Sequence, residues 1–420
     1  MNMENRTETV WLYLEPYTFI SEEQGRWLFY NAFDKEGFIV LKDEALIPIV
    51  KHLQDVDQLY SVRISLCDLD NPVLFNFVCD LQNHRMGNLL AGKEDRPVIM
   101  PPVLNLQYSV DRMKQHQVPV GSRILSYLHH ILIYLNGTCN LSCANCQTAF
   151  KQYLCCTKSQ QELRWDDLKS FIQQIPHTIT TILFTGGNCF RYSYLSELLE
   201  YIRDNRLSCS FLADWRNLTE DIIKLIDSVK EVVSLKILIL EDDYDLDSIR
   251  LIAHQLQHHS IAQSWMVSID SVEQYEKAME LDCVLGNEIQ WEIQPVYTGQ
   301  NQTFFEEFVY TSLQELNSMK LDRRQIFARQ VMNMNHFGKL VVDSSGRVYA
   351  NLHDSPLGSI SDSVKQMLSN ELETGVSWRR TRYQVRPCQD CCYRLLCPSP
   401  SNYELLLGKY NLCYMQLPNV

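Results

Sequence analysis

The chain of 420 residues is long enough for two or three domains, each with its own hydrophobic core. Apolar residues make up 45% of it and charged residues 21%, which excludes global disorder and low-complexity sequence. The formal net charge is −13 and no block of like charges occurs, so we expect no nucleic-acid partner. Because neither a signal-peptide pattern nor a long apolar run is present, we expect a cytoplasmic protein with no membrane partner.

Residues 1–95 predict a small α+β domain. Aromatic-rich strand patterns at 10–14, 26–30 and 37–41 are followed by two helical stretches, of which the second begins after the start signal Asn71-Pro72. A linker at 96–127, opening with Pro97 and followed by Pro101 and Pro102, then separates this domain from the next.

Residues 128–316 alternate short β-branched runs with amphipathic helical patterns. The runs predict six strands, at 129–135, 180–184, 209–213, 234–240, 265–269 and 289–293. This alternation predicts parallel strands joined by right-handed crossovers, in a doubly wound sheet or a barrel, with ligands at the carboxyl ends of the strands. Residues 317–420, with a predicted hairpin near 339–350 and a cysteine-rich tail, are expected to form a third domain.

Fifteen cysteines are too sparse for a secreted disulfide scaffold, and in a reducing compartment they favour metal binding. The most informative set is Cys139, Cys143 and Cys146, in a C-x3-C-x2-C pattern directly after the first strand of the alternating region. Gly137 and Asn140 favour a loop here, on which three thiolates can converge on one iron-sulfur cluster and leave one iron open. Two alternatives are a helix that places three thiols on one core face and a zinc site, although this spacing is unusual for zinc.

At these residues the sequence resembles the radical S-adenosylmethionine superfamily. The resemblance covers about residues 128–316 and implies a partial (β/α)6 barrel of the TIM type. It also implies that Cys139, Cys143 and Cys146 hold a 4Fe-4S cluster whose fourth iron binds S-adenosylmethionine. Cleavage of that cofactor would release a 5′-deoxyadenosyl radical, which abstracts a hydrogen atom from the substrate, while the barrel positions and shields the reaction.

A second feature of the superfamily lies at the end of the second strand of this region. Members usually carry Gly-Gly-Glu there, and this chain has Gly186, Gly187 and Asn188. The resemblance implies that this segment contacts the amino group of the cofactor, and glycines allow close backbone approach. Asn188 lacks the charge that glutamate would offer to the ammonium group.

The tail carries Cys388, Cys391, Cys392 and Cys397, followed by Cys413. Four of these can fully ligate one centre, and the spacing alone suits zinc as well as iron-sulfur. The order resembles the SPASM or twitch extension of radical enzymes that modify ribosomal peptides. It implies one auxiliary 4Fe-4S cluster held by Cys388, Cys391, Cys397 and Cys413, in which the choice of Cys391 over Cys392 rests on spacing.

The run from Cys397 to Glu404 resembles maturation proteins of double-glycine-leader peptide systems. The resemblance implies an enzyme that installs a crosslink or a related change in a ribosomally made peptide. Its partners would be a precursor peptide with a leader, an external electron donor and a companion maturase. The amino-terminal domain resembles winged-helix recognition elements, which would capture the leader by strand addition.

Two other functions are compatible with the sequence. The first is a non-catalytic pseudo-radical-SAM partner that binds the peptide or a companion maturase, a hypothesis motivated by Asn188 and by Gln147 after the third cysteine. The second is an interaction protein with zinc at both cysteine sets.

The other cysteines are expected to be buried free thiols. They are Cys67, Cys79, Cys155, Cys156, Cys189, Cys209 and Cys283. Lys236 and Ser268, on late strands, could touch the cofactor, although single residues of this kind are more often structural.

Overall fold

The computed structural model describes residues 9–91, 95–104, 106–119, 121–143, 146–240 and 244–415. Residues 1–8 of the predicted amino-terminal domain and 92–94 of its carboxyl end lie outside the described residues, as do 105 and 120 of the linker. Within the described part of the chain, no helix has the length and hydrophobicity that crossing a membrane requires.

Among its described residues, the amino-terminal region contains six strands and two α-helices. They are β1 (Thr9–Leu14), β2 (Thr18–Glu23), β3 (Arg26–Asn31), β4 (Glu36–Leu41), α1 (Ile47–Gln54), β5 (Ser61–Ser65), α2 (Pro72–Asn83) and β6 (Gly87–Ala91). The strands form two antiparallel sheets, in the orders β5-β1-β6 and β2-β3-β4. Helix α3 (Leu106–Gln115) lies in the predicted linker.

The helix predicted after Asn71-Pro72 is α2. The Asn71 side chain accepts a hydrogen bond from the Val73 backbone N–H, and the apolar positions Leu74, Phe77, Val78 and Leu81 are buried. Strands β2, β5 and β6 were not predicted from the sequence. Strand β2, Thr-Phe-Ile-Ser-Glu-Glu, has only two apolar residues, and its burial is due to tertiary contacts.

Six parallel strands with intervening helices follow. The elements are β7 (His130–Tyr134), α4 (Cys146–Ala149), α5 (Trp165–Gln173), β8 (Thr181–Thr185), α6 (Leu195–Asp204), β9 (Cys209–Asp214), α7 (Glu220–Asp227), β10 (Val233–Ile239), α8 (Leu246–His258), β11 (Gln263–Ile269), α9 (Val272–Met279), α10 (Leu281–Leu285), β12 (Gln290–Pro295) and α11 (Gln302–Val309). All six strands lie within two residues of their predicted bounds. The mixed α/β class with a large parallel sheet is therefore confirmed.

The order β7-β8-β9-β10-β11-β12 follows the chain, so each strand pairs with the next one. A doubly wound sheet reverses its order at a switch point, whereas a barrel does not. Among the described residues β12 does not pair with β7, and the arrangement is that of a partial barrel.

Alternate residues of each strand face two different cores. In β7, Ile131 and Ile133 pack into the large core shared with the helices. Leu132 and Tyr134 point the other way, into a smaller core with Leu183, where the strands' inner faces meet. The sheet therefore has a helix-covered face and an inner face.

The carboxy-terminal region extends the same sheet. Its elements are α12 (Leu313–Ser318), α13 (Arg323–Val331), β13 (Lys339–Val342), β14 (Arg347–Tyr349), β15 (Gly358–Ser359), α14 (Val364–Thr374) and α15 (Asn402–Leu407). The predicted hairpin is β13-β14, and β13 pairs in parallel with β7. The nine-stranded sheet thus runs from the barrel into the region expected to be a separate domain.

The tail also contacts the amino-terminal region. Tyr30 in β3 donates its hydroxyl to the Leu321 carbonyl at 2.9 Å and accepts from the Leu321 N–H at 2.7 Å. Tyr30 also belongs to a hydrophobic core that contains Phe19 of β2 and Cys392 and Leu395 of the tail. These contacts bury Phe19 of β2 and Tyr30 of β3, whereas Trp27 and Phe29 of β3 pack into the core of the amino-terminal region. The winged-helix likeness of this region and the SPASM likeness of the tail stay predictions.

Candidate functional site

The first cysteine set lies at the carboxyl end of β7. Residues 138–143 are irregular, and a helix begins only at Cys146, so the three thiols do not share one helical face. Cys139 and Cys143 are half-buried and Cys146 is buried. Residues 144 and 145 lie outside the described residues.

The cysteine loop is hydrogen-bonded to the Gly-Gly turn after β8. The Gly187 N–H donates to the Asn136 carbonyl at 3.0 Å, and the Asn188 N–H donates to the Thr138 carbonyl at 2.7 Å. A Cβ on Gly187 would lie 2.6 Å from the carbonyl oxygens of Gly137 and Thr138. Glycine is required here because the two chain segments meet backbone to backbone. The two motifs singled out in the sequence therefore form one unit at the carboxyl edge of the sheet.

The side chain of Asn188 is already engaged within the protein. Its Oδ1 accepts from the Phe190 N–H at 3.1 Å, and its Nδ2 donates to Asn217 Oδ1 at 2.9 Å. The described contacts of Gly186, Gly187 and Asn188 are thus made to the chain itself, and their contact with a cofactor stays a prediction.

Cys143 lies against a buried ion pair that the sequence analysis missed. Arg216 donates to Asp214 from Nε at 2.7 Å and from Nη2 at 2.8 Å. Nη2 also donates to Cys143 Sγ at 3.0 Å. Burial, together with the charge of Asp214, raises the pKa of Cys143 to about 11 against the opposing effect of Arg216.

Asp214 could have been found from the sequence. It directly follows the predicted strand 209–213, and polar residues at the carboxyl ends of parallel strands are the first candidates for a site. Its carboxylate is almost fully buried, at 1% exposure, so its pairing with Arg216 is needed to keep the charge there.

Cys146 points toward Cys156. Its Sγ donates to the Cys156 carbonyl at 3.7 Å. A hydrogen bond with the Cys156 thiol is the main reason why the pKa of Cys146 lies far above its usual value, and burial is the second reason. Among the residues that the structure describes, no three His, Cys, Asp or Glu side chains are arranged as ligands of one metal ion. The loop therefore supplies three thiols of the right chemistry at one edge of the sheet, without holding them in a ligating arrangement.

Three thiols of the second cysteine set interact with the buried guanidinium of Arg382. Arg382 Nη1 donates to Cys388 Sγ at 3.6 Å and to the carboxylate of Glu404, and its charge also acts on Cys397 and Cys413. Burial raises the pKa of Cys397 to about 12 and that of Cys388 to about 11, while Arg382 acts in the opposite direction. A buried cation of this kind would stabilise thiolates.

Cys391 and Cys392 contact each other, because a hydrogen bond between their thiols is the largest influence on the pKa of each. Cys391 also interacts electrostatically with Cys388 and with Cys413. Glu23 of β2 acts on both thiols, and its carboxylate accepts from the Cys392 N–H at 3.3 Å. The choice of Cys391 over Cys392 therefore stays a prediction, and the described thiols of this set are not in a ligating arrangement.

Among the cysteines set aside, Cys155, Cys156, Cys189 and Cys209 are buried, as expected. The expectation is wrong for Cys67 and Cys283, which are exposed, and Cys79 is half-buried. Of the two late-strand residues, Ser268 is hydrogen-bonded to the Tyr153 hydroxyl, while Lys236 lines a cavity described below.

Neither a protein-family model nor a curated protein matches this chain. Solved structures are similar at low identity. SuiB of Streptococcus suis bound to S-adenosylmethionine is 11% identical, with 95% of this chain and 97% of that chain covered and a TM-score of 0.40.

BtrN in complex with AdoMet and 2-DOIA is 13% identical, with 59% and 82% covered and a TM-score of 0.33. BtrN in an open conformation is 12% identical, with 63% and 92% covered and a TM-score of 0.32. We therefore base the functional proposal on this chain's own residues.

Proposed function

We propose that this chain is a radical S-adenosylmethionine enzyme that modifies a ribosomally made peptide by hydrogen abstraction. The observation that carries the proposal is the hydrogen-bonded unit of the cysteine loop and the Gly-Gly turn at the carboxyl edge of a parallel sheet. Ligands of such sheets bind at this edge. Three thiols there can hold a cluster with one open iron.

In this proposal Cys139, Cys143 and Cys146 hold the 4Fe-4S cluster, and Gly186, Gly187 and Asn188 border the bound S-adenosylmethionine. When bound, these two groups supply the radical that abstracts the hydrogen atom. The chain's own residues fix the geometry. The Arg216–Asp214 pair orients Cys143, and the Arg216 guanidinium favours its thiolate form.

We further propose one auxiliary 4Fe-4S cluster on Cys388, Cys391, Cys397 and Cys413. Its support is that Cys388, Cys397 and Cys413 all interact with the buried Arg382, and that Cys391 interacts with Cys388 and Cys413. An arginine in this position would offset part of the negative charge of four thiolates and their cluster.

The amino-terminal domain is proposed to capture the leader of the precursor peptide by strand addition. Strands β4, β5 and β6 are sheet edges among the described residues, and an edge offers unpaired backbone groups to an extended peptide. The contact of Tyr30 with Leu321 joins this domain to the tail. An external electron donor and a companion maturase complete the proposed partners.

The first experiment is anaerobic reconstitution with iron and sulfide, followed by an assay for 5′-deoxyadenosine from S-adenosylmethionine. We expect absorbance at about 400 nm, typical of iron-sulfur centres, and product above background. Cys143→Ala should abolish the product and remove about half of the bound iron, because one of two clusters is lost. The control is Cys283→Ala, an exposed cysteine in α10, which should leave both unchanged.

A wild-type preparation that binds iron but forms no product would indicate the non-catalytic alternative. A preparation that binds zinc and no iron would contradict the proposal. The leader hypothesis is tested with the full chain, by comparing its affinity for the precursor peptide with and without the leader. Equal affinities would remove that hypothesis.

A further inference from the structure

A cavity of about 410 Å³, here called the barrel cavity, lies on the inner face of the sheet. Strands β7, β10 and β13 line it, together with residues 151–154 and 350–352. Leu132 and Tyr134 of β7 form part of its apolar wall. Tyr134 is the last residue of β7, so the barrel cavity reaches the strand end from which the cysteine loop departs.

The titratable groups of the barrel cavity, apart from its tyrosines, are basic. They are Lys151, Lys236, Lys339, His130 and His336. No aspartate or glutamate is among the described lining residues, although the chain as a whole carries a net charge of −13. A cavity lined by charges of one sign concentrates the electrostatic field and attracts ligands of the opposite charge.

These cations are poorly neutralised. Lys236 Nζ lies 3.5 Å from the Glu292 carboxylate, which is more than half exposed, so water screens the pair. For Lys151 and Lys339, no ion pair with a described carboxylate occurs. Burial lowers the pKa of His130 to about 4, and the charges of Lys339 and Lys236 add to this effect. The basic groups therefore repel one another, and a bound anion would relieve the repulsion.

The basic groups and the apolar wall together indicate the ligand. The lysines favour a carboxylate or a phosphate, and the apolar wall, which includes Leu132, Leu154 and Leu352, suits a peptide segment better than free phosphate. No arginine or glycine is among the described lining residues, whereas guanidinium forks and glycine-rich loops are common in phosphate sites.

We propose that the barrel cavity binds a peptide segment that carries an aspartate or glutamate side chain. Lys236 and Lys339 face the carboxylate, and the apolar wall contacts the rest of the segment. This inference deepens the proposed function and rests on it, because it assigns an acidic residue to the part of the substrate that enters the barrel.

The test is calorimetric titration of the full chain with two blocked pentapeptides, Ala-Ala-Glu-Ala-Ala and its glutamine analogue. We expect the glutamate peptide to bind at least about 10-fold more tightly at low salt, and the ratio to shrink as salt rises. Inorganic phosphate serves as the third probe and should compete weakly. Equal affinities of the two peptides, absence of binding by both, or phosphate binding as tight as the glutamate peptide would each overturn the inference.

The variant Lys236→Gln/Lys339→Gln should bind both peptides equally. Its matched control is Lys169→Gln/Lys224→Gln, which removes the same charge from the exposed faces of α5 and α7 and should keep the preference. If the first variant fails to fold by circular dichroism, the wild-type comparison still decides. The 5′-deoxyadenosine assay separates the two proposals: product without peptide preference overturns this inference alone, and preference without product overturns the radical activity alone.

Discussion

Replacement of Gly187 by alanine tests the contact between the cysteine loop and the Gly-Gly turn. The new Cβ would lie 2.6 Å from two carbonyl oxygens, those of Gly137 and Thr138, and 2.7 Å from the Gly137 carbonyl carbon. Real Cβ atoms do not approach backbone atoms this closely. The turn or the loop must therefore move, and both are backbone, which cannot rotate away as a side chain can.

The change in the free energy of unfolding depends on which contacts this movement disturbs. Overpacking of a buried position costs about 1–3 kcal/mol. The Gly187–Asn136 and Asn188–Thr138 backbone bonds would weaken, at about 1 kcal/mol each. Alanine lowers the conformational entropy of the unfolded chain relative to glycine, and this offsets up to about 1 kcal/mol of the loss in stability. We expect Gly187→Ala to lower the free energy of unfolding by about 2–5 kcal/mol.

The assay is urea unfolding of the chain before reconstitution, followed by iron analysis after it. Displacement of Thr138 also displaces Cys139, so the variant should bind less iron. The control is Gly25→Ala, at the β2-β3 turn, where an added Cβ meets nothing within 4 Å. If Gly187→Ala were as stable as Gly25→Ala and bound as much iron as the wild type, the two segments would not be in contact and the reasoning would fail.

Three further measurements test other parts of the structure. Arg382→Met leaves the Glu404 carboxylate buried without its partner. The variant should lower the free energy of unfolding, measured in urea, by about 3–5 kcal/mol. The double variant Arg382→Met/Glu404→Gln should recover part of this loss. Burial lowers the pKa of His336 to about 4, so below about pH 6.5 the unfolded chain binds a proton that the folded chain does not. This residue alone should therefore contribute about 2 kcal/mol to the fall in stability between pH 7 and pH 5, and a fall in His336→Gln as large as in the wild type would contradict this. Tyr30→Phe leaves the Leu321 backbone groups unpaired and should cost about 1–3 kcal/mol, and an unchanged unfolding midpoint would refute that contact.

Local periodicity was enough to find the parallel sheet. The strands of the barrel are short β-branched runs bounded by amphipathic helices, and buried parallel strands of this kind have a sequence signature that does not depend on their neighbours. The same holds for the helix after Asn71-Pro72, where the cap and the apolar spacing agree. Strand β2 has no such signature, because its burial is supplied by β3 and the tail.

The sequence by itself determined the positions of the six parallel strands and of the cysteine loop after the first of them, since both depend on contiguous residues. The pairing of these strands in chain order was decided by the tertiary structure. Only the tertiary structure decided that Arg216 and Asp214 lie against Cys143, that Asn188 is engaged with Asn217, and that β13 joins β7. It also brought the lysines of the barrel cavity together. These arrangements join residues that are distant along the chain, and the spacing of residues along the sequence does not specify such contacts.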